Sequence, residues 1–112
     1  MNFDLNIRDY RGVDWSYKDL NYASLDRSRL DGASLVCASL DGARLDGASL
    51  DCASLVGASL VGASLVGARL VGASLVGASL VGASLDRSRA NSKTVWPAGF
   101  DWREAGVIME ED

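Results

Sequence analysis

Leucine recurs at every fifth position from Leu20 to Leu85 without a gap. Two places before it, from Ala23 onward, stands a small residue, in most units alanine. Serine or arginine usually lies between the two, and valine or aspartate follows the leucine. The unit is purest between Ala53 and Gly82, where it reads Ala-Ser-Leu-Val-Gly and is broken only by Arg69.

A period of five decides between the regular structures. In an α-helix, five residues turn through about 500°, so each leucine would lie about 140° from the last and no apolar face would form. A glycine in nearly every unit would add about 1 kcal/mol of helix penalty each time. A flat strand alternates faces with period two, so an odd repeat would throw successive leucines to opposite sides. A coil of short extended pieces separated by bends satisfies the pattern. Alanine and leucine, two apart, then face a common axis. The residues beside them face out, and glycine takes the corner, where a permissive φ is useful. The expected class is all-β, a parallel β-solenoid. Its backbone groups pair between coils stacked roughly 4.8 Å apart.

Ala33-Ser34-Leu35, Ala43-Arg44-Leu45 and Ala48-Ser49-Leu50 resemble the A-(D/N)-L-x-x motif of the pentapeptide-repeat family, and the resemblance runs from Ala23 to Arg87. It implies a right-handed quadrilateral β-helix with four units per coil. Serine or arginine fills the outward slot where the family often has aspartate or asparagine. With centres counted from Leu5 to Leu85, the resemblance implies about four coils and a rod roughly 20 Å long.

The ends depart from the beat. Residues 1–22 form an irregular first coil centred on Leu5, Tyr10, Trp15 and Leu20, with Arg8 and Lys18 in alanine slots. A basic side chain cannot sit unpaired in a narrow core. Both are expected to leave by the open end or to pair with Asp4, Asp9, Asp14 or Asp19. Phe3, Tyr10, Trp15, Tyr17 and Tyr22 are expected to plug the first leucine layer, because a solenoid end needs a cap. The regular solenoid spans 23–90 and a capping tail spans 91–112, all within one domain. Residues 91–94 read as a loop. Thr94-Val95-Trp96-Pro97-Ala98-Gly99-Phe100-Asp101 resembles a tail that follows many bacterial, especially cyanobacterial, repeats of this family. Asp101 is placed to N-cap a short helix through Ala105. Val95, Trp96, Phe100 and Trp102 are expected to fold over the last coil.

Composition narrows the function. A hydrophobic content of 48% argues against a disordered chain, and a net charge of -4 gives no reason to expect a nucleic-acid ligand. No apolar run is long enough for a membrane helix, and the first residues lack a signal-peptide pattern, so a cytoplasmic location is expected. There is no histidine, which excludes a Ser-His-Asp set and argues against a metal. Lys93 near Ser92 is a weak Ser-Lys pair. Asp46 and Asp51 lie on outer faces with no cleft to raise a pKa. No cofactor and no enzyme activity are expected. Cys37 and Cys52, three units apart, should occupy different corners and form no disulfide.

With twenty residues per coil, outward positions fall into columns. One face stacks Val36, Val56 and Val76 beside Ser34, Ser54 and Ser74. The next carries Val61 and Val81 above Asp41. A third carries Asp26, Asp46 and Asp86, interrupted by Val66. The fourth has Arg29, Arg69 and Arg89 with Asp31 and Asp51, expected to pair locally. The valines are either β-formers that tolerate exposure or a protein-contact patch.

The reading is a structural or interaction protein, as a monomer or as a homodimer through the C-terminal end. The resemblance offers one alternative, a DNA-mimicking protein that binds gyrase or another type II topoisomerase, but Ala53–Leu85 contains no acid at all. A further alternative is a consensus or engineered scaffold, since identical units specify register weakly. Ice binding through threonine ladders fits poorly, because Thr94 is the only threonine.

Overall fold

A computed structural model describes residues 8–111. Phe3, Asp4 and Leu5, placed above in the first coil and its plug, lie outside the described residues. Parallel bridges join each outward residue to the one twenty positions on, as in Asp9↔Arg29, Ser34↔Ser54 and Ser59↔Ser79. Twenty residues, four units, therefore close one coil of a right-handed β-helix.

The corners explain why five residues suffice for each side. Leu30 C=O accepts from Ala33 N–H at 3.0 Å, and the same bond across three residues recurs along the coil. The second residue inside the turn has a left-handed backbone at every corner from Gly12 (φ 71°) to Arg87 (φ 60°). A positive φ there, and not at the residue before it, defines a type II turn, which favours glycine. Gly42 has a second reason to be glycine. A Cβ there would lie 2.6 Å from the ring carbons of Tyr22. Tyr17, Tyr22, Arg27, Cys37, Cys52 and Arg87 adopt the same conformation without being glycine, at a cost of about 1–2 kcal/mol each.

Three residues connect the turns, and only the middle one forms a bridge, too few for a conventional strand. The named strands are β1 (Arg89–Ala90) and β2 (Ile108–Met109), which pair in parallel. Everywhere else the ladder consists of single rungs. Leucine N–H donates up to the next coil, as from Leu40 to Ser59 C=O at 2.7 Å, and serine N–H donates down, as from Ser59 to Ala38 C=O at 2.9 Å.

The core is a stack of leucines and alanines. Leu30 to Leu75, at every fifth position, have no exposed surface, and the alanines from Ala33 to Ala78 are buried with them. Each such leucine contributes about 1.5–3 kcal/mol by burial. Ser28 and Ser88 take the alanine slot three coils apart. They are fully buried, and neither hydroxyl has a hydrogen-bond partner.

At the N-terminal end, among the described residues, Tyr10 and Trp15 act as the expected plug and Tyr17 and Tyr22 do not. The first two pack on the core with ring centroids 4.7 Å apart. Tyr17 and Tyr22 are 77% and 80% exposed, because they stand at the glycine position of a corner and their side chains are directed outward. Arg8 and Lys18 are exposed. The Arg8 guanidinium donates to Ser24 C=O at 2.8 Å, and among the described residues it pairs with no aspartate.

The C-terminal tail differs from expectation in two ways. Residues 91–94 are a corner with one extra residue: Ala90 is buried in the leucine slot, Thr94 is buried, and Val95 resumes the ladder over Ser74. The extra residue displaces a carbonyl, and side chains compensate. Gly72 N–H lies 3.2 Å from Asn91 Oδ1 and 3.3 Å from Thr94 Oγ1, which in turn donates to Leu70 C=O at 2.7 Å. Val95 is therefore an exposed rung, while Trp96, Phe100 and Trp102 pack on the end of the core. The expected helix is absent. Asp101 Oδ1 accepts from the N–H groups of Arg103 and Glu104 as a cap would, but the chain makes turns and then pairs through β2. That pairing over β1 takes the backbone that further helical turns would need.

Replacing Ser28 by alanine removes an unsatisfied buried hydroxyl, and Ser88→Ala does the same. Each is expected to stabilise the fold by about 1 kcal/mol, read as a higher urea midpoint with an unchanged slope. Leu55→Ala, in a fully buried layer, is expected to cost about 2–5 kcal/mol in the same measurement.

Candidate functional site

The four faces are defined by their central rungs. The first carries Asp9, Arg29, Ser49, Arg69 and Arg89; the second Asp14, Ser34, Ser54 and Ser74; the third Asp19, Ser39, Ser59 and Ser79; the fourth Ser24, Arg44, Ser64 and Ser84. Corner residues lie between faces, which alters the expected map. Val36, Val56 and Val76 follow the second face, and Val61 and Val81 follow the third. Both valine columns thus border a single face, with Ser39, Ser59 and Ser79 at its centre, instead of occupying two faces. Val36 and Val56 are half-buried, whereas Val76 is 48% and Val81 70% exposed. Exposure grows toward the C-terminal end as the covering by further coils runs out.

The aspartates at the corners are structural acceptors. Asp41 Oδ1 accepts Val61 N–H at 3.0 Å and the Ser59 hydroxyl at 2.5 Å. Asp46 Oδ1 takes Val66 N–H and the Ser64 hydroxyl in the same way, and Asn21 serves Asp41 and Ser39. The rule is one donor twenty residues on and one eighteen residues on. Arginine in the second position makes an ion pair: Arg69 with Asp51 at 3.1 Å, and Arg44 with Asp26 at 3.3 Å. A corner valine offers no such acceptor to the coil above it.

The charged first face is built partly by the tail. Arg69 pairs with Asp51 as expected, but Glu110 also lies 3.4 Å from Arg69 and 3.3 Å from Arg89. The hydrogen bond to Asp51 and the charge of Glu110 hold the Arg69 proton more tightly than usual. Arg89 therefore finds its acid in the tail and not in a neighbouring aspartate, which no repeat pattern announces. Asp31 has one buried carboxylate oxygen without a hydrogen-bond partner. At the first coil, hydrogen bonds from Arg11 lower Asp9 to about 2, and those from Ser16 lower Asp14. These contacts favour the ionised carboxylate, the opposite of what a general acid requires.

Cys37 and Cys52 are free, exposed and on different corners. Among the described residues, no group of three His, Cys, Asp or Glu side chains could hold a metal ion, and no helix is long and apolar enough to cross a membrane. A cleft of about 430 Å³ opens at the C-terminal end of the third face, lined by Ala78, Ser79, Leu80, Val81 and the turn 97–100. The tail turns away at Pro97 there and leaves the last rung uncovered.

A sequence model of the family described as Pentapeptide repeats matches residues 19–51 and 53–89 in eight copies, more than half of the chain. This chain is a pentapeptide repeat protein. Among solved structures, this pentapeptide repeat protein is similar to alr5209, a family member from Nostoc Pcc 7120. The two share 35% identity over 92% of this chain and 85% of that one, with a TM-score of 0.91. It is also similar to HetL, a pentapeptide repeat protein involved in heterocyst differentiation regulation in Nostoc sp. strain PCC 7120. That match has 41% identity over 73% of this chain and a TM-score of 0.67. This chain spans 39% of the length of HetL. No curated protein matches the sequence.

Asp46→Val removes two hydrogen bonds and is expected to cost about 1 kcal/mol. Val56→Asp supplies an acceptor below Val76 N–H and the Ser74 hydroxyl, and is expected to stabilise. Thermal melts of the pair check both signs. In an NMR titration Asp9 is expected to protonate near pH 2, and Arg11→Ala to return it toward 3.8. Because the folded value is depressed, the stability Asp9 contributes is present above pH 3.8 and is lost as pH falls toward 2.

Proposed function

We propose that this protein is a non-catalytic interaction module, and that the third face with its two valine borders is the surface it presents. The observation that carries the reading is the convergence of Val36, Val56, Val76, Val61 and Val81 on the edges of one flat serine row. Its borders are apolar above Asp41, and it carries no basic residue between Cys37 and Val81. Exposed apolar area of this kind marks protein contacts, and a hydrogen-bonded solenoid presents it with little loss of entropy on binding. The likeness to HetL, a protein involved in regulation, favours a regulatory protein partner over a small-molecule substrate. The carboxylates support no competing chemistry, since Asp41, Asp46 and Asp51 already serve donors of the coil above. The same bonding removes much of the free acidic surface that a DNA mimic needs.

The test uses Val36→Lys, Val56→Lys and Val76→Lys together, with Arg29→Ala as a control on another face. Circular dichroism and light scattering should match the parent. A partner captured from the source cell should bind the lysine variant roughly tenfold or more weakly and bind the control normally. Unchanged capture by the lysine variant would sink the proposal.

A further inference from the structure

The four ladders end at different heights. On the first face Ile108 adds a rung over Arg89, and on the second Val95 adds one over Ser74. Among the described residues the third and fourth faces stop at Ser79 and Ser84. Val95 shows what a further rung does. Its C=O accepts Leu75 N–H at 2.7 Å, and its N–H donates to Ala73 C=O at 2.9 Å. Leu80 and Leu85 stand in the same slot as Leu75, yet their amides have no backbone acceptor among the described residues. Leu75 is fully buried, whereas Leu80 is only half-buried and borders the 430 Å³ cleft with Pro97 and Phe100.

We infer that this recessed rim is a strand-accepting edge for an extended segment of a partner protein. The segment runs parallel to 78–85 and completes the third and fourth faces as the tail completes the other two. Unpaired sheet edges are templates for such addition, with main-chain bonds giving affinity and alternate side chains giving specificity. Two rungs already present on the molecule define the occupant's chemistry. Thr94-Val95-Trp96 and Val107-Ile108-Met109 each place a buried small or β-branched residue first, a β-branched residue outward, and a large apolar residue third. The incoming segment presents its second-position C=O to Leu80 N–H and its N–H to Ala78 C=O. Its third residue, an aliphatic one, fills the cleft against Leu80 and Phe100. A single extended chain is favoured over a second copy because the rim sits one rung below the tail units beside it. A narrow strand fits that recess, whereas the flat end of another solenoid would meet the tail first. The edge meets the valine-bordered face at Ser79 and Val81, residues that the lysine variant of Val36, Val56 and Val76 leaves unchanged.

The probe is a synthetic ten-residue peptide, two blocked copies of Ala-Ser-Leu-Val-Gly, the length of the two missing units. Titrated into isotope-labelled protein, it is expected to shift the Leu80 and Leu85 amides and slow their exchange, leaving Arg29 and Ser34 unchanged. A peptide with proline for both serines lacks the N–H groups for Ala78 and Ala83, and should bind roughly tenfold more weakly or worse. Ala98→Trp, which fills the cleft, should weaken the parent peptide similarly. Three results overturn the inference: no change at Leu80 and Leu85 at millimolar peptide, equal binding by the proline peptide, or protection of those amides by self-association in sedimentation without any peptide. The lysine variant of the valine columns should bind the peptide normally, so failure of the face and failure of the rim are told apart.

Discussion

The left-handed corner is the constraint on which the rest of the structure depends. Each unit must reverse part of its direction within two residues, and a type II turn does so only if its second residue accepts a positive φ. When that happens every fifth residue, the three residues before each turn bring alanine and leucine inward together, and the coil closes after four turns. Glycine accepts this conformation without strain, which is why it fills the central coils. The exceptions are informative. Tyr17, Tyr22 and Arg27 stand at three successive corners near the N-terminal end, and the first two display large side chains to solvent. Burial and interstrand bonding evidently offset a penalty of about 1–2 kcal/mol per corner.

Once the coil is set, its outer surface obeys a second regularity. At three corners the acid reaches the amide twenty positions on and the side chain eighteen positions on. Asp41, Asp46 and Asp51 therefore belong to the scaffold, tying one coil to the next, and they are not a free acidic surface. Where valine replaces them the tie is lost and an apolar strip is gained. The distribution of the two along the corners trades stability between coils against adhesiveness toward other proteins, and the third face stands at the adhesive end of that trade.

The tail finishes the molecule unevenly. Its extra corner residue shifts the ladder between Ala90 and Val95, its turns replace a helix, and Glu110 returns to bridge Arg69 and Arg89. Two faces gain a rung by this route. The others are left at the level of Ser79 and Ser84, where the backbone ladder ends, and at Leu80 the leucine column meets an opening as well.

The five-residue beat determined by itself that alanine and leucine line a common axis, that glycine marks corners, and that no histidine-based chemistry is present, because each of these follows from local spacing and residue type. The two serines in alanine slots were equally legible, as Ser28 and Ser88 break the beat at inward positions. The four-unit coil came from the family resemblance, since a period of five is compatible with several closures. Tertiary structure decided what depends on residues twenty or more apart. It set both valine columns on one face, turned Tyr17 and Tyr22 outward, gave the aspartates their amides, and brought Glu110 to the arginines. It also replaced the expected C-terminal helix with a rung, because a backbone ladder already open above Arg89 and Ala90 offered the tail stronger pairing than a single isolated turn could supply.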